Sequence, residues 1–483
     1  MKQILLITIA ALFSCYGFSQ NRAINWAFGD SAGLNFTTEP PTPFLTSIIV
    51  YEPSATISDE EGNLLFYTNG RTIWNAAHEV MLNGNFLESG AGSLSTYTQG
   101  VIIIPFPDEA NKYYVFHQDF GYLKYTVVDM SFEDGLGLVT SKNNIIIEIP
   151  SMTEKMQAVR HGNGRDWWLV IEALPGGGIF DLPFTFYEFL ITPEGINDPQ
   201  INEGIVYTDQ DAKVYLGQMK FNQQGNILAC TNGRSVIIYD FDRCSGYLSH
   251  SYTIDSIFVG NNDDEVYGLE FSPNGNLIYI TKVGTVGKGI LYQYCLTCPE
   301  EINGTKEIIY QSHETGDDKK NLGQLQLAMD GKIYLPSIGL TSATSLSVIN
   351  SPNEIGYICN FDTFSVNIGD KKVKLGLPNM PNYNLGVMEK SGCDTIGTTA
   401  VNNINKNAIQ LYPNPAHNYI YLKHAPQGIV QIHIADIYGK EVLYFNQQST
   451  DVINISTLPS GLYFIIITQE NAMLITQKLV VER

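Results

Sequence analysis

The chain has 483 residues, too many for one ordinary domain, and it is acidic, with 49 Asp and Glu against 28 Lys and Arg. A net charge of −21 excludes the basic footprint that nucleic-acid and anionic-membrane partners require. Only 16% of residues are charged, while Gly, Tyr, Phe, Asn and Thr abound, which is a composition of strands and turns.

Residues 1–19 have the pattern of a secretory signal. Lys2 supplies the positive start, Ile4 to Phe13 are apolar apart from Thr8, and Gly17 and Ser19 are the small residues before a cleavage site. The mature chain is expected to begin at Gln20. The apolar run is shorter than the roughly 20 residues that span a bilayer core, and no later stretch is long enough to do so.

From residue 21 onward, helical periodicity is nearly absent. Short alternating apolar runs recur between Gly, Asn, Asp and Pro clusters, which is the all-β signal. One local pattern repeats: an apolar strand, a polar turn with Gly, and a second apolar strand. It occurs at Ala55–Tyr67, Ala158–Val170, Met219–Ala229, Leu269–Ile280 and Leu325–Leu335, with a degenerate copy lacking Gly at Ile102–Phe116. The turn glycine supplies the positive φ of a tight hairpin, and Asn, Asp or Pro set up the turn before it. Gly164, Gly225, Gly275 and Gly331 are 61, 50 and 56 residues apart, and Gly62 lies 102 residues before Gly164. A period near 50 with one hairpin per unit predicts a β-propeller of four-stranded blades over residues 20–392, seven blades favoured and six possible. The first and last strands are expected to close the ring.

Few residues in this region point to chemistry. Arg160 and His161 begin a turn and are weak candidates to face the central channel. Asp209 and Asp211, and the run Asn261–Glu265, are acidic but match no EF-hand loop. Pro175–Gly178 has no P-loop lysine after it, and no GxSxG elbow is present. The other histidines lack metal-ligand spacing. No catalytic residue, metal or cofactor is therefore assigned. Six cysteines remain after signal removal: Cys230, Cys244, Cys295, Cys298, Cys359 and Cys393. An even count in an exported chain makes all six disulfide candidates, with 15 pairings open. Cys295 and Cys298 have CxxC spacing, but no second CxxC completes a zinc site, so a structural bridge, or two bridges to other cysteines, is expected.

At about Cys393 the texture changes. Residues 393–408 are polar and small and read as a linker. Seven short strands follow over 409–483, enough for a small immunoglobulin-like β-sandwich.

Several segments carry a resemblance. Asn25–Gly29, Gly62–Gly70, Ile73–Asn75, Arg160–Trp168, Phe241–Gly246 and Gly376–Asn379 resemble a group of exported Bacteroidetes proteins with an N-terminal propeller-like region of WD-repeat-like blades. That resemblance implies architecture and secretion, with no agreed chemistry. Leu411–Pro415, Asp436–Lys440, Leu458–Phe464 and Gln477–Val481 resemble, in order, the type A sorting domain of the type IX secretion system. The resemblance marks Pro413, Asn414, Pro415, Gly439, Gly461, Leu462, Tyr463 and Lys478 as motif residues. It implies the type IX machinery as partner and a secreted or outer-membrane-surface location reached through the periplasm. It also implies removal of the domain, with release or anchoring to surface lipopolysaccharide. The propeller itself is expected to bind or adhere to an extracellular glycan or protein. The alternative is a hydrolase or lyase acting on glycans, which convergent carboxylates at the channel mouth would favour.

Overall fold

The computed structural model describes residues 21–89, 97–174, 183–206, 214–254, 257, 264–284, 289–312, 321–338, 343–394, 410–423, 428–436, 440–448, 452–469 and 472–482. The expected signal, nearly all of the linker, Pro175–Gly178, Asp209, Asp211, Asn261–Asp263 and Gly439 lie outside them.

Residues 25–367 form seven antiparallel sheets in chain order. Sheet 1 holds β1 (Asn25–Phe28), β2 (Asp30–Asn35) and β3 (Thr42–Ile49). Sheet 2 holds β4 (Ala55–Ser58), β5 (Leu64–Thr68) and β6 (Ile73–Asn75). Sheet 3 runs through β7 (Val101–Pro105), β8 (Lys112–Asp119), β9 (Tyr122–Asp129) and β10 (Leu138–Glu148). Sheet 4 has β11 (Met152–Arg160), β12 (Trp167–Ala173) and β13 (Pro183–Thr192), with β14 (Gly195–Ile196) and β15 (Gln200–Val206) both on β13. Sheet 5 comprises β16 (Met219–Phe221), β17 (Ile227–Asn232), β18 (Ser235–Phe241) and β19 (Leu248–Ile254). Sheet 6 comprises β20 (Asp264–Phe271), β21 (Leu277–Gly284), β22 (Ile290–Cys295) and β23 (Glu307–Gln311). In sheet 7, β24 (Asn321–Leu322) and β25 (Gln326–Leu327) both pair with β26 (Ile333–Ile338), followed by β27 (Ser345–Ile349) and β28 (Phe361–Asn367).

The first strands of successive sheets adjoin: β4 with β7, β7 with β11, β11 with β16, β16 with β20, and β20 with β25. This is a propeller, with first strands lining the axis and last strands at the rim. The ring closes where Trp26 of β1 meets Tyr334 of β26, with ring centroids 5.8 Å apart. Trp26, Trp167 and Trp168 are all but fully buried between sheets. Burying a large apolar side chain contributes about 1.5–3 kcal/mol.

The repeated turns have the expected geometry. Gly62, Gly164, Gly225, Gly275 and Gly331 all have positive φ, between 73° and 96°. Each donates its N–H to the carbonyl three residues earlier, at 2.9–3.2 Å. A residue with a Cβ is strained in that conformation, so glycine recurs at the repeat's period.

Residues 372–378 return to the start of the ring. Lys372 bridges to Asp30, Val373 to Ala343 and Pro378 to Ser54, which ties sheets 1, 7 and 2 together. The chain then crosses to sheets 4 and 5. Met388 N–H donates to Gly162 O, and Cys393 is bonded to Cys244.

The C-terminal unit packs two sheets face to face. One holds β29 (Gln410–Tyr412), β30 (Tyr419–Lys423) and β33 (Val452–Asn454). The other holds β31 (Ile429–Asp436), β32 (Glu441–Gln448), β34 (Gly461–Gln469) and β35 (Ala472–Val481). Ile420, Ile432, Ile434, Ile453, Ile465 and Ile467 form a core separate from the propeller's.

Candidate functional site at the propeller axis

The first strands begin on one face, the entry face, and run to their glycine turns on the other, the turn face. Along the way they bring polar side chains to the axis in three layers.

The middle layer is made of amides. Gln99 donates from Nε2 to Met219 O at 2.9 Å and accepts from Met219 N–H at 2.7 Å. Gln218 donates to Leu325 O at 3.2 Å and accepts from the N–H groups of Leu325 and Leu269. Gln324 donates to Thr98 O and accepts from Leu377 N–H. Asn379 Oδ1 accepts from Gln99 and Gln157, and Asn379 Nδ2 donates to Val101 O and Met156 O. The first strands β4, β7, β11, β16 and β20 belong to separate sheets and adjoin without pairing, yet their buried backbone groups need partners. Side-chain amides, which carry both donors and acceptors, supply them. The axis is therefore closed, and the Gly376–Asn379 segment is part of the closure. A Cβ at Gly376 would overlap the Glu52 carbonyl, so only glycine lets this segment approach.

On the turn face lies a cavity of about 100 Å³. At its floor the buried Lys220 ammonium is 3.3 Å from Glu270 and bonded to Gln326 Oε1. Glu270 also accepts from the N–H groups of Leu327 and Phe271. Asn222, Gln223, Asn382 and Asn384 stand around this pair, with Met329, Met380 and Tyr383 supplying apolar wall.

On the entry face two carboxyls meet. Glu52 precedes β4, and Glu154 is the third residue of β11. Glu154 Oε2 accepts from Thr98 N–H at 2.9 Å and from Thr98 Oγ1 at 2.8 Å. Burial pushes the Glu154 carboxyl up to about 7 even against those bonds. Burial, and then repulsion from Glu154, hold Glu52 well above the usual carboxylate range. Tyr267, on β20, is buried beside both, which raises its phenol. Lys155 points elsewhere, to Glu172 at 2.7 Å and Val214 O at 2.6 Å.

Arg160 and His161 do not line the axial cavity. Arg160 lies over the Trp167 ring at 4.3 Å and donates to Gly164 O and Arg165 O. His161 Nε2 donates to Cys244 O at 3.0 Å, and its Nδ1 accepts from Asn163 N–H. Both hold the β11–β12 turn against the Asp242–Gly246 loop. Arg243 of that loop reaches back to Arg160 O, His161 O and Gly386 O. Two of the resemblance-bearing segments, Arg160–Trp168 and Phe241–Gly246, thus pack on one another.

The cysteines divide in a way the even count does not foretell. Cys244–Cys393 and Cys295–Cys298 are bridged, whereas Cys230 and Cys359 are buried free thiols. The expectation of six paired cysteines is corrected to four, because Cys230 and Cys359 are packed in different inter-sheet cores. Among the described residues no group of three or more His, Cys, Asp or Glu is placed to hold a metal, and no helix is long and apolar enough to cross a membrane.

The sorting motifs come together at the last strand. Asn414 Nδ2 donates to Lys478 O at 2.8 Å, and Asn414 Oδ1 accepts from Val480 N–H at 2.8 Å. Ala416 N–H donates to Val480 O, and Glu482 N–H to Ala416 O. Pro413 and Pro415 flank Asn414 in cis peptides. In β34, Gly461, Leu462 and Tyr463 pair with Val481, Val480 and Leu479 of β35, and the Tyr463 hydroxyl donates to Pro459 O.

Residues 410–482 match the secretion system C-terminal sorting domain. The chain carries a type IX sorting domain. It is therefore a chain exported to the cell surface or released. Among solved structures it is similar to a putative 6-phosphogluconolactonase from Bacteroides fragilis, at 13% identity over 73% of this chain and 96% of that one, with a TM-score of 0.44. It is also similar to the extracellular domain of a putative hybrid two-component system from B. thetaiotaomicron, at 14% identity over 95% of this chain and 55% of that one, with a TM-score of 0.36. A third is the β-propeller domain of a Myceliophteria thermophila protein, at 9% identity over 68% of this chain and 89% of that one, with a TM-score of 0.38. No curated protein matches the sequence.

Glu52, Glu154, Lys220 and Glu270 went unmarked in the sequence. Glu154, Lys220 and Glu270 sit in ordinary strand contexts and Glu52 in the loop before β4, and only the ring brings them to the axis. Asn379 had a signal, since it ends the Gly376–Asn379 segment.

Proposed function

We propose that the propeller is an extracellular binding module whose ligand is a glycan taken at the turn-face cavity. The observation that carries this is the lining: Asn222, Gln223, Asn382 and Asn384 around the Lys220–Glu270 pair. Side-chain amides both donate and accept, as sugar hydroxyls do. The lining contains no Ser, Cys or His, and its one carboxylate is held by Lys220 and two backbone N–H groups. Glycoside hydrolysis ordinarily needs a pair of carboxyls flanking the bond. A glycan array probed with the purified chain, with sugar release measured alongside, tests the reading. Binding that falls at least tenfold in Gln223→Ala and Asn384→Ala supports it, because the Asn222 and Asn382 amides are already bonded within the turn-face loops. Unchanged binding in both variants overturns it.

The alternative, a hydrolase or lyase, has the Glu52–Glu154 pair in its favour, since a carboxyl near 7 is matched to proton transfer at neutral pH. Sugar release lost in Glu154→Gln would establish that reading in place of the first.

The same proposal takes residues 1–19 as the inner-membrane signal, 20–392 as a seven-bladed propeller, 393–408 as linker and 409–483 as the sorting domain. It includes removal of that domain after export, with release or lipopolysaccharide anchoring. Deletion of 409–483 is expected to leave the propeller in the periplasm.

A further inference from the structure

The segment that carries the Pro413–Pro415 motif is bonded on two sides. Pro413 and Pro415 have no N–H to donate. Residues 413–416 therefore offer two backbone donors, those of Asn414 and Ala416. Ala416 N–H goes to Val480 O of β35, within the sorting domain. Asn414 N–H goes the other way, to Thr140 O of β10 at 3.1 Å, and Asn414 forms a parallel bridge with Ser141. β10 is the outermost strand of sheet 3. A strand in that position leaves backbone groups open to pairing, and the motif segment takes up one of them.

Side chains reinforce the contact. The Tyr412 ring packs on Phe132, which lies between β9 and β10, with centroids 4.3 Å apart. Tyr412 also stacks on Tyr421 of β30 at 5.5 Å, so it joins the propeller to the sandwich. Burial lowers the pKa of the Lys142 ammonium on β10, and the Glu482 carboxylate is near enough to oppose that shift. Phe132, Thr140 and Lys142 of sheet 3 thus meet Tyr412, Asn414 and Glu482 of the sorting domain.

The contact is small. One ring pair, one backbone bond and one pair of opposite charges fall well short of the roughly 20–30 residues a side in a stable complex of separate proteins. Residues 395–409 tether the two units, and a short tether keeps each at an effective concentration on the order of 1 mM for the other. A contact too weak to last between separate molecules is therefore held while the chain is whole, and a tighter-binding competitor opens it.

We propose that sheet 3 is an intramolecular latch for the sorting domain: in the folded chain it covers the Tyr412–Asn414 side of the motif, and the export machinery displaces it to take hold of that segment. A docked fraction lowers the apparent affinity of a partner that needs the undocked form. Loosening the latch should then speed delivery.

The test uses the full chain and two propeller-side variants. Phe132→Ala removes the ring, and Lys142→Glu sets a like charge against Glu482. Hydrogen exchange with electron-transfer fragmentation resolves the Asn414 and Ala416 amides. In both variants exchange at Asn414 is expected to rise about tenfold or more, while Ala416, held by Val480, stays as in wild type. Unchanged exchange across β7, β8 and β9 shows that sheet 3 is folded. Delivery to the cell surface is followed by pulse-chase, with a chain lacking 409–483 as the zero. Both variants are expected to arrive about twofold faster or more. Wild-type exchange at Asn414 in both variants would overturn the contact. Unchanged delivery with a freed Asn414 amide would overturn the latch. Slower delivery would overturn it too, and would show that the machinery reads the docked form.

Discussion

Gln157 and Asn379 are 222 residues apart in sequence and meet at the propeller axis, where Gln157 Nε2 donates to Asn379 Oδ1 at 3.2 Å. Asn379 is also bonded to Gln99, Val101 O and Met156 O. One side chain therefore holds sheets 3 and 4 to the returning C-terminal segment. Asn379→Ala takes one acceptor from Gln99 and Gln157, which keep Met219 O, and removes the side-chain donor from the Val101 and Met156 carbonyls in a closed axis. Each orphaned buried group costs about 1–3 kcal/mol. Urea unfolding is expected to show a loss of at least about 3 kcal/mol, against less than about 0.5 kcal/mol for a surface control.

The turn glycines differ in what surrounds them, which separates backbone strain from crowding. At Gly225 a Cβ would come within 2.7 Å of Leu385 and Val159, whereas at Gly331 nothing lies within 4 Å. Both have φ above 70°. Gly331→Ala should cost only the left-handed backbone penalty, about 1–2 kcal/mol. Gly225→Ala adds a clash against the returning segment and should cost about 1–3 kcal/mol more. Equal losses in thermal unfolding would show that Leu385 moves aside freely.

The features legible in the sequence are those that local physics imposes. A hairpin turn requires positive φ wherever it occurs, so Gly62, Gly164, Gly225, Gly275 and Gly331 carry the repeat in plain view. Cys295 and Cys298, three residues apart, can bridge one another, and the structure selects that bond over bridges to other cysteines. The axis was not legible. Gln99, Gln218 and Gln324 bond backbone groups more than 100 residues away, and nothing in a glutamine's own neighbourhood marks that role. Glu52, in the loop before β4, and Glu154, on β11, are unremarkable in sequence until the ring brings them near one another.

Glu188 gives a pH signature free of the proposed ligand sites. It lies on β13, with Oε2 bonded to Asn202 Nδ2 at 2.9 Å and Oε1 buried without a partner. Burial pushes its carboxyl up to about 8. The folded chain thus keeps a proton that the unfolded chain releases near pH 4.5. Between those values the folded state binds more protons, so unfolding free energy falls as pH rises, by up to about 1.4 kcal/mol per pH unit from this group. Glu188→Gln should remove that slope and be more stable than wild type at pH 8. Urea midpoints measured at pH 5, 6.5 and 8 will show it, and parallel profiles would contradict it.

Cys244–Cys393 spans 149 residues and fastens the returning segment to sheet 5, while Cys295–Cys298 spans three. Long loops gain most from a cross-link. The double variant Cys244→Ser and Cys393→Ser should lose about 2–5 kcal/mol, and the Cys295–Cys298 pair should lose less. In the native chain Cys230 and Cys359, both buried, should resist alkylation until the protein unfolds. Mass spectrometry after iodoacetamide treatment distinguishes the four bonded from the two free sulfurs.

Asn414 connects the sorting motifs to stability. Its side chain accepts from Val480 N–H and donates to Lys478 O, so the Pro413–Pro415 segment and β35 are held by one residue. The neighbouring backbone bonds through Ala416 remain when the side chain is cut back. Asn414→Ala should therefore loosen the last strand without unfolding the sandwich, at a cost of about 1–3 kcal/mol. The C-terminal unit has its own core, so the propeller's unfolding transition should stay in place while that of residues 410–482 moves down. If the machinery reads the assembled end of β35, surface delivery should fall in step with that loosening. Asn414→Asp keeps the acceptor for Val480 and loses only the donor to Lys478, so it should fall between wild type and Asn414→Ala in both measurements. Delivery lost in the Asp variant with no change in unfolding would assign the asparagine amide to direct contact with the machinery instead.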